Sequence, residues 1–393
     1  MITVGAILGQ FPLQASATGE TVEQSPAAPA EQAELVLDAQ GFSSAVRGLA
    51  FSPDGRLLAA AGSKEVRIWD VMSGQAVATL RGQRERNAYG NCYAVAFSPD
   101  GRNLVVGIDD YSSNGSIRVY DTKDFGQIRK LLPGHYAPVK HLAFSRDGKY
   151  LASAGENGKI LFWRWADQRF AGSVMPSRPD QPVYSFFEFP TAAPYLCVQE
   201  TQGISVISVP GGTRLTGQGW YPRELQDWLA ALPNMRFPLT SSSTTAMTAR
   251  LEQGAWLMGG IGKDNGRDAY WVGFWKGNPR TPAVTYQSHR YLITTVALTP
   301  DASLAASADA LGDIHVWDTQ TAMRRHLFRG VGQPIYRVAF DESGRILGLG
   351  TTPVPVGPWA RNNYGKVEQA WYLDTRKLTF PPQSPYRRET PAL

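Results

Sequence analysis

Phe51-Ser52-Pro53-Asp54-Gly55-Arg56 recurs as Phe97-Ser98-Pro99-Asp100-Gly101-Arg102 and again as Phe144-Ser145-Arg146-Asp147-Gly148-Lys149, at steps of 46 and 47 residues. Leu298-Thr299-Pro300-Asp301 and Phe340-Asp341-Glu342-Ser343-Gly344 repeat the cue 42 residues apart. A period of this size marks a chain made of repeated supersecondary units. Each copy follows the same local logic. An alternating apolar stretch such as Val95-Ala96-Phe97 leads into the turn with the period of a strand. Within the turn, Pro presets φ, Asp bonds the backbone ahead and Gly accepts a positive φ. A strand of small residues follows, for example Leu57-Leu58-Ala59-Ala60-Ala61-Gly62. The next strand ends in an aromatic and an acid: Ile68-Trp69-Asp70, Val119-Tyr120-Asp121 and Val316-Trp317-Asp318. In the third copy Phe162-Trp163 is followed by Arg164, where an acid is expected.

This pattern resembles the WD-repeat β-propeller family over nearly all of residues 33–374. The resemblance implies an all-β, seven-bladed β-propeller of four-stranded antiparallel blades, closed by a terminal strand. Two of the seven blades are degenerate, one around Phe189 to Ile207 and one around Leu251 to Trp275, so six or eight blades also fit. For closure, Glu34-Leu35-Val36-Leu37 is expected to pair outside Gln369 to Leu373, with Lys377 to Phe380 as the rival for that edge. Family members brace a blade with His, Ser or Thr, Asp and Trp. Here the third blade offers His135, Ser153 and Trp163, with Asn157 at the expected Asp position. Ser288-His289 with Trp317 is a second partial set, and Trp69 ends a blade that lacks the His. His315, between Ile314 and Val316, reads as a solvated or inter-blade residue.

Composition agrees with a globular chain. The 393 residues are 43% hydrophobic, 11% aromatic and 19% charged, which rules out disorder as the overall state. A net charge of +5 is small for this size and argues for no particular partner. Two cysteines, Cys92 and Cys197, make neither a disulfide framework nor a Cys-based zinc site. No apolar run reaches the roughly 18 residues of a membrane-spanning helix. Residues 1–32 read as a disordered leader or a truncated signal peptide plus linker. Ile2 to Leu8 is apolar and Ala15-Ser16-Ala17 is like a signal-peptidase site, but the first basic residue is Arg47. Export or a periplasmic location is the expectation, with a cytoplasmic one as the alternative. The propeller is expected over residues 33–380 and a Pro-rich tail over 381–393.

The longest connections are Arg81 to Cys92, Asp109 to Gly115, Gly217 to Thr244, Gly262 to Asp268 and Thr351 to Lys366. In the family's fold they share one face, opposite the Pro-Asp-Gly turns, and loops on a rigid scaffold carry binding. Their aromatic and basic residues are the partner-binding candidates: Arg84, Arg86, Tyr111, Trp220, Tyr221, Arg223, Trp359, Arg361 and Tyr364. Leu225, Trp228, Leu229 and Leu232 form one face of a short helix, read as a cover over the degenerate blades.

Catalytic signatures do not surface. There is no G-x-S-x-G, H-E-x-x-H, EF-hand, Walker or Cys-x-x-Cys motif, and the five histidines are scattered. Gly259-Gly260-Ile261-Gly262 reads as strand and turn, and Asp109-Asp110 with Asn114 as a hydrated turn rather than a calcium loop. No cofactor, metal or nucleic acid is expected. The resemblance therefore implies a monomeric, non-catalytic scaffold that holds a protein or peptide on its elaborated face. The alternatives are a propeller hydrolase or lyase with its site at the central channel, and an exported carbohydrate- or cell-wall-binding propeller.

Overall fold

A computed structural model of the chain describes residues 35–37, 46–62, 64–81, 90–109, 115–126, 128–176, 187–189, 194–200, 203–215, 240–277, 281–328, 334–344, 346–351 and 370–374. Within them every sheet is a meander whose successive strands pair antiparallel. The first sheet holds Gly48–Phe51, Leu57–Gly62, Glu65–Asp70 and Ala76–Arg81. The second holds Cys92–Phe97, Asn103–Asp109, Gly115–Asp121 and Ile128–His135. Val139–Phe144, Tyr150–Gly155, Ile160–Arg164 and Arg169–Val174 make the third. The fourth has Phe187–Glu188, Tyr195–Glu200 and Gly203–Ser208. In the fifth are Thr240–Arg250, Ala255–Asp264, Arg267–Lys276 and Val284–Tyr286. The sixth runs Ile293–Leu298, Leu304–Asp309, Ile314–Asp318 and Arg324–Phe328. The seventh combines Ile335–Phe340, Ile346–Thr351 and Ala370–Asp374 with the N-terminal strand Leu35–Leu37.

The architecture is an all-β propeller with four-stranded antiparallel blades. The expectation of seven such blades needs correcting, because six sheets have four strands and the fourth has three among the described residues. After Ser208 the chain turns at Pro210-Gly211-Gly212 and returns for a single bridge, Ile207 to Arg214. Pro210 has no N–H to give to a ladder. At the seventh sheet the outer edge is taken by the N-terminal strand, in the register Leu35 to Leu373, Val36 to Tyr372 and Leu37 to Trp371. The rival segment, Lys377 to Phe380, lies outside the described residues, as do the leader, the tail and the Leu225 to Leu232 helix.

The recurrent turn explains why its residues recur. In the first sheet, Ser52 Oγ donates to Asp54 Oδ1 at 2.5 Å and accepts from the Leu57 N–H at 2.8 Å. The same carboxylate accepts from the Arg56 N–H, and Gly55 sits at φ 70°. The geometry repeats at Ser98-Asp100 and Ser145-Asp147, and Thr299 takes the serine's part at Asp301. At Asp341 the roles reverse, with the Ser343 hydroxyl donating back to the acid. The acid at the end of the third strand fixes the next turn, as Asp318 does by accepting from the N–H groups of Gln320 and Thr321. Where the third sheet has Arg164 instead, Asp167 supplies the acid and accepts from Arg164 Nε at 3.0 Å.

Burial is between sheets. Ala59, Ala61 and Ile68 of the first sheet pack on Val95, Phe97 and Leu104 of the second. Comparable clusters fill the next interfaces, through Ala306 and Val316 of the sixth sheet against Val338 and Phe340 of the seventh. Small second-strand residues let neighbouring wedges approach, and each buried aliphatic or aromatic side chain contributes roughly 1.5–3 kcal/mol. Gly48 shows how tight the hub is: a Cβ there would lie 2.9 Å from the Tyr93 carbonyl oxygen.

Candidate functional site

Inner strands from all seven sheets line one axial cavity of ≈ 270 Å³. Each inner strand begins at the face that carries the long connections and ends at the face of the Pro-Asp-Gly turns. Residues at strand starts therefore ring one mouth. There the sheets are pinned to each other: Thr245 Oγ donates to the Ile293 carbonyl at 2.6 Å, and Thr294 Oγ to the Ile335 carbonyl at 2.5 Å.

Three cations meet at this mouth. Arg337 Nε donates to the Arg47 carbonyl at 3.3 Å. The Arg47 guanidinium carbon lies 5.3 Å from the Tyr93 ring centroid, and Lys140 Nζ lies 3.3 Å from it. The Tyr93 hydroxyl donates to Asp109 Oδ2 at 3.2 Å, and Asn91 occupies both oxygens of that carboxylate. Burial, reinforced by Asp109, pushes the Tyr93 phenol up to about 12, so it remains a donor. Desolvation lowers Lys140, which Glu156 partly offsets from 3.3 Å. In the same lumen, His141, Glu188 and Arg337 keep some exposure yet have protein on every side. Burial depresses His141 to about 3, raises the Glu188 carboxyl and lowers Arg337, each away from its charged form.

Three more tyrosines lie on this face. Tyr136 is 74% exposed, and Tyr291 and Tyr336 are each 43% exposed, all three at the start of an inner strand or just before it. The opposite end of the channel is closed differently. Arg146 donates from Nε to the Phe189 carbonyl at 3.2 Å and pairs with Glu252 at 3.0 Å, so the third and fifth sheets are strapped across the three-stranded fourth.

The bracing residues divide into two cases. In the sixth sheet, His289 bonds Asp309 through Nδ1 at 3.0 Å and Ser307 through Nε2 at 2.7 Å, and Trp317 Nε1 donates to the same hydroxyl at 3.2 Å. With Asp309 accepting at Nδ1, the ring proton sits there and Nε2 accepts from Ser307. This is the order of a hydrolytic Ser-His-Asp set, but the Ser307 side chain is wholly buried and no substrate can reach it. Tyr286, from the fifth sheet, stacks on Trp317 at 4.8 Å and meets His315 Nδ1 at 2.7 Å. His315 is therefore inter-blade and buried, which removes the solvated reading.

In the third sheet, His135 Nε2 meets Ser153 Oγ at 2.8 Å and Trp163 Nε1 donates to that oxygen at 2.9 Å. His135 Nδ1 is buried without a partner. Asn157, expected to complete this set, accepts from the Lys159 N–H at 3.2 Å. Strand register puts Gly155 opposite Val139, as Asp309 lies opposite Ile293, so the acid's position is held by glycine. Trp69 is buried against Val46 and Ala60.

The partner-binding candidates Arg84, Arg86, Tyr111, Trp220, Tyr221, Arg223, Trp359, Arg361 and Tyr364 all lie outside the described residues. The expected loop Gly262 to Asp268 is instead two long strands joined at Asn265-Gly266, both at positive φ, with Lys263 and Asp268 paired across them. Sequence reading missed Arg47, Tyr93, Lys140 and Arg337. Their signal was a polar or charged residue early in an otherwise apolar inner strand. Among the described residues no group of His, Cys, Asp and Glu has the makings of a metal site. No helix among them is long and apolar enough to cross a membrane.

Comparison with known proteins gives these features a context. Residues 34–70, 74–121, 126–164 and 280–318 match the WD domain, G-beta repeat model. The chain is similar to the target of rapamycin complex subunit wat1 of Schizosaccharomyces pombe, at 23% identity over 65% of this chain and 71% of that protein. It is 32% identical to human WD repeat and SOCS box-containing protein 1 over 29% of this chain, spanning only 25% of that relative. Among solved structures, the RRP9 WD40 repeats superpose with a TM-score of 0.60 at 16% identity, covering 87% of this chain and 99% of that one, which speaks to fold alone. With the recurrent turn, the meandering sheets and the His-Ser-Trp braces already in place, these matches show that the chain carries WD repeats in four places and resembles the WD-repeat β-propeller family.

Proposed function

We propose that the protein is a non-catalytic interaction scaffold: a monomeric ring of seven sheets, closed by its N-terminal strand, that holds a protein or peptide partner on the connection face. The reading places the ring over residues 33–380, with the leader and the Pro-rich tail outside it. One observation carries the proposal. Three of the four exposed aromatic side chains among the described residues, Tyr136, Tyr291 and Tyr336, lie at or just before the start of an inner strand, on the face where Arg47 is exposed. Tyr and Arg are enriched at interface hot spots, and a rigid scaffold limits the ordering cost of association. Relatives named as a complex subunit and as a SOCS box protein support a partner-holding role. On this reading Arg84, Arg86, Tyr111, Trp220, Tyr221, Arg223, Trp359, Arg361 and Tyr364 extend the surface outward from the mouth.

The test is partner capture by variants that keep the fold. Charge reversal at Arg84 and Arg86, Trp359→Ala and Tyr336→Ala should each weaken capture while thermal unfolding stays unchanged. Capture equal to wild type in all of them would refute the face assignment.

A further inference from the structure

We propose that the channel mouth receives a carboxylate side chain from an acidic segment of the partner, seated between Arg47, Lys140 and Arg337 beside the Tyr93 ring. This deepens the scaffold reading and rests on it. The argument begins with charge. Three sheets each bring one cation to the same opening, linked by the 3.3 Å bond from Arg337 Nε to the Arg47 carbonyl and by the 5.3 Å and 3.3 Å approaches of Arg47 and Lys140 to Tyr93. Like charges held together repel unless an anion joins them. Among the described residues no ion pair includes Arg47, whereas Lys140 pairs with the exposed Glu156 and feels Asp109, and Glu188 in the same lumen acts on Arg337. Arg47, exposed at the opening, is the cation left without an acid among the described residues, so the anion that answers it comes from outside.

Size narrows the class. A lumen of ≈ 270 Å³ takes a side chain, while the backbone that carries it stays outside on the tyrosine-lined face. Arginine offers a planar fork that fits a carboxylate at two points, and desolvation in a narrow lumen strengthens each such bond. Geometry also favours peptide over polynucleotide. Phosphate backbones engage a track of cations extending over several nucleotides. Here the cations gather at one point with Glu156, Asp109 and Glu188 beside them.

The experiment measures fluorescence anisotropy of a short labelled peptide of alternating Glu and Gly against the full chain. A Gln-Gly peptide and a single-stranded oligouridine serve as comparison probes. The Glu probe should bind at least about tenfold more tightly than the Gln probe, and Arg47→Glu should weaken it about tenfold. Arg47 is exposed, so this variant keeps the fold, and Arg337→Gln tests the lumen side independently. Equal binding of the Glu and Gln probes would overturn the inference, as would indifference to both substitutions or no binding by any peptide. Displacement of the Glu probe by oligouridine acting through the same arginines would reassign the site to nucleic acid. Each of those results leaves the scaffold reading to the capture test on Arg84, Arg86, Tyr336 and Trp359, so the two can fail separately.

Discussion

The third and sixth sheets solve one problem with unequal means. Both bury a histidine between a serine and the start of an inner strand, and both let a tryptophan N–H complete the serine. In the sixth, Asp309 holds the second ring nitrogen, and Tyr286 stacks on the tryptophan from the neighbouring sheet. In the third, Gly155 occupies the acid's register and His135 Nδ1 has no partner. A buried ring with one bare nitrogen is a weaker brace, since an unsatisfied polar atom keeps its desolvation cost. The same motif can therefore be a strong lock in one blade and a partial one in another.

Breaking the two braces should show the difference directly. His289→Ala strands a buried carboxylate and should cost about 3 kcal/mol, whereas His135→Ala strands none and should cost about half as much. Urea denaturation of both variants measures this, and equal losses would mean that Asp309 adds nothing. Supplying the missing acid should sharpen the contrast from the other side. A Cβ at Gly155 would lie 2.7 Å from Asn157 Oδ1 and 3.0 Å from His135 Nδ1, so the fair test is Gly155→Asp combined with Asn157→Gly. The double variant should gain about 1 kcal/mol and raise the His135 pKa, both readable by denaturation and by NMR titration.

Acid gives a third handle. Burial, with a smaller push from Lys159, depresses His135 from 6.5 to about 4, so the fold holds the neutral ring. Its contribution is complete above pH 6.5 and is lost as pH falls toward 4, because the unfolded chain takes up the proton first. Stability measured from pH 7 to 4 should decline, and His135→Gln should flatten that slope. An unchanged slope would assign the decline elsewhere. The smallest effect belongs to the third sheet's inverted ion pair. Exchanging the two residues, Arg164→Asp with Asp167→Arg, should leave the urea midpoint almost unchanged, since both side chains are exposed and solvent screens the pair.

How much of this was legible beforehand follows from the range of each interaction. The turn Ser52 to Arg56 and its repeats are closed by bonds that span five residues or fewer, so their residue types announce them. The clasp was readable too, since a short apolar segment at one end must answer an open edge at the other. The brace of the sixth sheet was read only in part: His289 and Trp317 were visible, but Asp309 emerges from register. Asn157 misled for the same reason, being two residues past the position that faces the histidine. The mouth was hidden altogether. Arg47, Tyr93, Lys140 and Arg337 are spread over nearly three hundred positions, and only ring geometry makes them neighbours.

The pairing of Leu35–Leu37 with Ala370–Asp374 also sets an order of events. The strand made first finds its neighbour only after about 330 further residues exist, which at roughly 5–20 residues per second is a wait of tens of seconds. Until then the nascent disc has two raw edges, and during that interval a chaperone or a stray strand would compete with the chain's own beginning.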